Sequence, residues 1–254
     1  HPNIVGVTDV VEVAGAPGLV MEYVTGGSLE VFLEGTRPPL AQALGIFRDT
    51  LAGMEHAHRE GVLHRDLKPA NILLERRDGH LVAKVADFGL AKAVLEAQGS
   101  VRQTQTNVAM GTPAYMAPEQ IRSARDVDQR ADVFSLGCVL YELTCGREAF
   151  SGPDTLSVWN AITSGEYLDP RELAPDLPGP VTRTIRGCLH PERELRLEDC
   201  SAVFRSLDSA DGHEPGPPVP RGLSAVRSIP EPVASVAAGR TAIPTLPEEG
   251  RSAA

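Results

Sequence analysis

The sequence predicts an α+β chain, mainly helical, whose strands all precede Asp87. Three observations carry that reading. Val5–Val13 and Leu19–Tyr23 are short runs rich in Val, Leu, Met and Tyr on either side of a Gly/Pro cluster, which reads as two strands. Ile72–Leu74 and Leu81–Val85 form two more short runs on either side of Arg77-Asp78-Gly79, a turn signal that predicts a hairpin. Beyond them the apolar spacing becomes helical. A chain of 254 residues can bury roughly 70–75% of its unfolded surface, so it needs no disulfide or metal staple.

Taken in order, Val5–Val13 and Leu19–Tyr23 are joined by Gly15-Ala16-Pro17-Gly18, a turn composition. Gly26-Gly27 ends the second strand, and Ser28 can cap a short helix. Leu40, Leu44, Phe47, Leu51 and Met54 recur at helical spacing and predict a helix with one buried face. Asp128–Leu143, beyond its opening Asp128-Gln129-Arg130, is apolar apart from Asp132, Ser135 and Glu142, the mark of a buried helix. Asp132 is then either a buried carboxylate that needs partners or a surface N-cap. Leu156, Trp159 and Ile162 mark a further helix, and Val181–Leu189 and Leu197–Leu207 two more. After Leu207 the composition shifts. Eight of the 21 prolines fall between Asp208 and Ala254, among Gly, Ser, Ala and scattered charges, so 208–254 reads as a disordered Pro-rich tail.

The chemistry sits between Val62 and Gly89. Asp66 can accept a proton from a hydroxyl, and Asn71 and Asp87 offer hard oxygen ligands of the kind Mg²⁺ takes. The predicted hairpin between them would fold Asp87 back beside Asn71. His56, His58 and His64 lie close in sequence, but at none of the usual zinc spacings.

His64-Arg65-Asp66-Leu67-Lys68-Pro69-Ala70-Asn71 resembles the catalytic loop of protein kinases, Asp87-Phe88-Gly89 their magnesium motif, and Ala117-Pro118-Glu119 the motif that follows. Three motifs in one order and at one spacing make a specific signal. The resemblance, to eukaryotic-type and in particular bacterial Ser/Thr kinases, runs from His1 to about Leu207. It implies a truncated kinase domain over 1–207, with a hinge near 21–27 and a helical C-lobe over 28–207. It also implies roles. Met21 would be the gatekeeper, the backbones of Glu22 and Val24 would bond the adenine edge, and Leu73 would form the floor beneath it. Asp66 would orient and deprotonate the substrate hydroxyl, Lys68 stabilise the γ-phosphate, and Asn71 and Asp87 hold Mg²⁺. Asp132 would hold the catalytic-loop backbone, and Arg196, rather than Arg193, would pair with Glu119. Arg65 would read a phosphate placed between Asp87 and Glu119, with Thr104 and Thr106 as the phosphosites. Lys68 and Gly111-Thr112-Pro113 resemble the Ser/Thr-specific branch.

The resemblance implies ATP and Mg²⁺ as cofactors, Ser/Thr-bearing proteins as substrates, and leaves dimerisation through this domain open. It is incomplete upstream. The chain holds no Gly-x-Gly-x-x-Gly loop, no strand Lys of the Val-Ala-Ile-Lys type and no helix bearing its Glu partner. It starts with His and is expected to be a piece of a longer kinase, inactive alone. The competing reading is a catalytically silent kinase-like module that binds a partner; a small-molecule phosphotransferase ranks third. A net charge of −10, from 24 Lys+Arg against 34 Asp+Glu, argues against nucleic acid and anionic membranes as partners. No run of 18 apolar residues exists to span a membrane. Cys138, Cys145, Cys188 and Cys200 form no Cys-x-x-Cys pair and are expected to be buried, reduced thiols, which implies the cytoplasm.

Overall fold

Two hairpins and a set of helices arise from this pattern in the computed structural model, which describes residues 1–13, 16–88, 113–122 and 127–209. Strands β1 (Val7–Val13) and β2 (Ala16–Met21) pair antiparallel, with an irregularity between Val7 and Asp9. β2 starts at Ala16, so the connection is tighter than the Gly15–Gly18 turn read from the sequence. The expected strand start at Val5 is also corrected. Ile4 and Val5 pair instead with a later strand, Val85, through a parallel bridge and a Val5 N–H bond to the Val85 carbonyl of 2.9 Å.

Helix α1 (Leu29–Leu33) begins at Ser28, whose hydroxyl accepts from the Val31 N–H at 3.3 Å. The long helix α2 (Leu40–Arg59) buries Ala43, Ile46, Phe47, Thr50, Leu51, Met54 and Ala57 against the core. Strands β3 (Ile72–Arg77) and β4 (His80–Val85) form the second hairpin, with Ile72 opposite Val85 and Arg77 opposite His80. Asp78 and Gly79 take φ of 49° and 82°, the two left-handed positions that a tight two-residue hairpin turn requires. A Cβ on Gly26 would lie 2.1 Å from the Leu74 carbonyl oxygen, so only glycine lets the chain pass this close to β3.

The remaining helices are α3 (Pro118–Arg122), α4 (Gln129–Cys145), α5 (Thr155–Ser164), α6 (Pro170–Leu173), α7 (Gly179–Cys188) and α8 (Cys200–Asp208). α4 is buried along most of its length, including Phe134, Leu136, Leu140 and Leu143. Its N-cap is Asp128, not Asp132, and it ends at Gly146 in the left-handed conformation. α8 starts three residues later than the apolar spacing suggests. Asp199 caps the helix by accepting from the Ala202 N–H at 2.6 Å, while the Leu197 N–H is drawn off to the Gly187 carbonyl at 3.0 Å. Arg196 therefore lies in extended backbone before the helix. All four cysteines are free; Cys138, Cys188 and Cys200 are buried and Cys145 half-buried. Among the described residues no helix is long and apolar enough to cross a membrane. The tail expected from 208 onward, apart from Asp208 and Ser209, lies outside the described residues.

Candidate active site

The site grows from one buried carboxylate on α4. Asp132 is 1% exposed and accepts three hydrogen bonds: from the His64 N–H at 2.9 Å, the Arg65 N–H at 2.8 Å and His58 Nε2 at 2.8 Å. Burial pushes the Cys200 thiol well above its ordinary value, so it keeps its proton and can donate to His58 Nδ1, 3.5 Å away. That leaves Nε2 of His58 to carry the hydrogen given to Asp132. His58 and His64, two of the three histidines weighed as metal ligands, thus have protein partners.

Arg65 takes φ of 65°, a left-handed conformation disfavoured for a side chain of this size. It is held there from both sides, by Asp132 at its N–H and by Gln120 Nε2 at its carbonyl, 2.8 Å away. Its own side chain is exposed. The kink turns Asp66 outward. The Asp66 N–H points back to His64 Nδ1 at 3.3 Å, and His64 Nε2 donates to the Ala86 carbonyl at 2.8 Å. His64 is thus fixed in one tautomer, and it ties the loop to the residue before Asp87.

Asp66 Oδ2 lies 3.0 Å from Lys68 Nζ and 3.4 Å from Asn71 Nδ2, and the same Asn71 nitrogen donates to the Asp66 carbonyl at 2.7 Å. The Asn71 carbonyl accepts from the Ala86 N–H at 2.9 Å, which brings the start of the Asp87 segment alongside Asn71, as the hairpin predicts. Asp87 also sits in the left-handed region, at φ 59°. Phe88 packs its ring on His64, with centroids 4.9 Å apart. Asn71 Oδ1 and both Asp87 carboxylate oxygens accept no hydrogen bond among the described residues. A cavity of about 800 Å³ lies elsewhere, between α3, α5 and α7 beside Tyr167 and His190.

At the other edge, the Glu22 N–H is committed to the Gly6 carbonyl at 2.9 Å, and the Glu22 carbonyl accepts no hydrogen bond among the described residues. The Val24 N–H has no partner among the described residues. Leu73 on β3 faces the same region and is half-buried, and Met21 closes β2 at 43% exposure.

With this geometry in view, comparison with known proteins is informative. A protein kinase domain matches residues 1–205. The chain belongs to the protein kinase family. It is 34% identical over 230 residues to the serine/threonine-protein kinase PknB of Mycobacterium leprae, a match covering 88% of this chain and 36% of that protein. It is 35% identical over 207 residues to the DNA damage-responsive serine/threonine-protein kinase RqkA of Deinococcus radiodurans, covering 80% of this chain and 30% of that protein. The chain therefore spans about a third of the length of these relatives. Among solved structures it superposes on Rad53 1-466 in complex with AMP-PNP with a TM-score of 0.67 and 28% identity, over 81% of this chain and 50% of that one. A protein-kinase-like α+β fold is thereby established.

Several kinase-motif residues come together and some do not. Arg196 and Glu119 form a two-pronged ion pair, Nη1–Oε1 at 2.7 Å and Nη2–Oε2 at 3.1 Å. The Arg196 side chain is fully buried, bonds the His190 and Arg130 carbonyls, and lies 5.0 Å over the Phe134 ring. Thr104 and Thr106, the expected phosphosites, lie outside the described residues, as do Gly89 and Gly111-Thr112. Two contributors escaped the sequence reading, Gln120 under Arg65 and Lys84 under Glu22. Lys84 falls at a polar position of an alternating strand, where solvent exposure is the ordinary expectation, and its partner is 62 residues away.

The Arg196–Glu119 pair gives a test of stability. Arg196→Met should lower unfolding free energy by roughly 3–5 kcal/mol, because Glu119 and two carbonyls lose a buried donor. Urea denaturation would measure it, and a loss under about 1 kcal/mol would show the pair to be dispensable.

Proposed function

We propose that this chain supplies the catalytic loop and hinge of an ATP-dependent protein kinase that transfers phosphate to Ser/Thr hydroxyls. One observation carries the reading: Asp66, Lys68, Asn71 and the start of the Asp87 segment are gathered around one Asp132-held loop, and the side-chain oxygens of Asn71 and Asp87 accept no hydrogen bond among the described residues. Those hard oxygens suit Mg²⁺, which when bound neutralises phosphate charge. Asp66 orients the substrate hydroxyl and accepts its proton. Lys68, already beside Asp66, offers a positive charge to the transferring phosphoryl group. The Glu22 carbonyl and Val24 N–H hold the adenine edge above Leu73. The likeness to a structure bound to AMP-PNP, an ATP analogue, supports the nucleotide, and the likeness to the serine/threonine-protein kinases PknB and RqkA supports Ser/Thr as acceptor.

The test is transfer of labelled γ-phosphate from Mg·ATP to a generic protein by the complete kinase, followed by phosphoamino-acid analysis. Label on Ser or Thr is expected; its absence, or label on Tyr alone, overturns the reading. A polypeptide of His1–Ala254 alone should be at least about 10²–10³ slower, since it carries no Gly-rich loop and no strand Lys of the Val-Ala-Ile-Lys type to preorganise the phosphates. β1 is exposed along both faces, with Val10 at 60% and Val13 at 63%, so this polypeptide should also tend to associate. A monomeric sample working near the complete kinase's rate would refute this.

A further inference from the structure

Lys84 is buried, 7% exposed, in the middle of a hairpin whose function in phosphate transfer needs no lysine there. A buried ammonium must be paired. Its Nζ lies 2.7 and 2.8 Å from the two carboxylate oxygens of Glu22, and 3.7 Å from Glu75 Oε2. Glu22 Oε1 also accepts from the Gly6 N–H at 2.8 Å. These two contacts, Lys84 first, hold the Glu22 carboxyl below the usual carboxylate range.

The position of this pair matters more than its strength. Lys84 is the cross-strand partner of Leu73, and partners across an antiparallel ladder project to one face of the hairpin. One end of the Lys84 side chain is therefore rooted opposite the residue placed under the base. The other end grips Glu22, whose carbonyl faces the base edge. β4 itself is immobilised: Val85 pairs with Asn3 and Val5, the Asn3 amide donates to the Ala83 carbonyl at 3.0 Å, and Asp49 accepts from the Ala83 N–H at 3.0 Å.

The far end of the hinge is held by backbone alone. Leu74 N–H donates to the Gly27 carbonyl at 2.9 Å, and Ser28 bridges to Leu73. Between the two anchors Tyr23 is 88% exposed and Val24 N–H is unpaired among the described residues. So the stretch that must present a carbonyl and an N–H is pinned at both ends, and only the first pin is made by side chains.

We propose that Lys84 is a positioning residue that sets the distance between the base floor at Leu73 and the hinge carbonyl of Glu22, and so tunes recognition of the 6-amino group of adenine. The inference rests on the nucleotide-binding reading above. Cutting the pin leaves the hinge anchored at one end and through Gly6, and the carbonyl no longer waits at hydrogen-bonding distance from the amino group.

The test is equilibrium binding to the complete kinase, with Mg²⁺, of ATP and of purine riboside triphosphate, which lacks the 6-amino group. Lys84→Met keeps the apolar stem and removes the charge. It should weaken ATP roughly three- to tenfold, the worth of one hydrogen bond, and the purine analogue less than about twofold. Glu22→Gln, at a half-exposed side chain and therefore tolerant of change, should do the same, and the double variant should be no worse than either single one. If the wild-type protein binds neither triphosphate, the nucleotide reading itself fails. If it prefers ATP but both variants keep the same ratio between the two ligands, or lose both ligands equally, Lys84 is a structural ion pair and the positioning role is wrong.

Discussion

Replacing Asp132 by alanine should abolish phosphotransfer by the complete kinase and cost roughly 3–5 kcal/mol of stability. Among the described residues the carboxylate is the sole acceptor for the His64 and Arg65 N–H groups, and it also receives His58. Deleting it strands three donors in the interior, each worth about 1–3 kcal/mol when left unmade, and relaxation recovers part of the total. The functional loss has a separate cause. Arg65 at φ 65° stores backbone strain on the order of 1–3 kcal/mol. With Asp132 gone, only Gln120 opposes its return to ordinary backbone. Asp66 is the next residue, so its carboxylate swings away from Lys68 and Asn71. A fall in kcat of at least about 10², with cooperative but weakened unfolding, is expected. A variant with turnover within tenfold of the parent and melting lowered by less than about 3 °C would show that the loop holds its shape without this anchor.

The elements that were legible in the sequence are those whose signals are local. Asp78-Gly79 can accept positive φ at both turn positions, so the hairpin that brings the Asp87 segment to Asn71 follows from two residues. The apolar stretch after Asp128 reads as a buried helix, which left Asp132 either a partnered buried carboxylate or a surface N-cap; its burial and the cap at Asp128 decide for the first. The errors came where two local signals compete. Leu197 continues the apolar phase of the last helix, yet Asp199 is the better cap, and the helix obeys the cap. Lys84 was illegible for another reason. A lysine in an alternating strand is ordinarily a solvated residue, and nothing near it announces Glu22. The left-handed backbone of Arg65 could not be read either, since arginine does not favour it and the bonds to Asp132 and Gln120 impose it; aspartate permits that conformation at position 87 but does not announce it. The motif residues themselves were recognised as a set by resemblance, and no single one of them would have sufficed.

Asp66→Asn should lower kcat by about 10²–10⁴ while changing the apparent affinity for Mg·ATP less than about threefold. The substitution conserves shape, so the loop should survive it. Asp66 Oδ2 is engaged by Lys68 at 3.0 Å and by Asn71 at 3.4 Å. The introduced amide must turn its oxygen toward those two donors, because its NH₂ would face them donor to donor. The NH₂ then takes the position that meets the substrate hydroxyl, where it can only donate. A group that accepted a proton is replaced by one that cannot, and the hydroxyl loses its orienting acceptor as well. The nucleotide contacts proposed for Glu22, Val24 and Leu73 would be untouched, which is why affinity should hold. Asp87→Ala makes the opposite pattern: removing an uncommitted carboxylate should weaken Mg²⁺-dependent nucleotide binding first, with metal-free nucleotide binding little altered. Steady-state kinetics with ATP and Mg²⁺ varied independently separate the two. Turnover within tenfold of the parent in Asp66→Asn would remove Asp66 from the proton-accepting role and leave it as a support for Lys68.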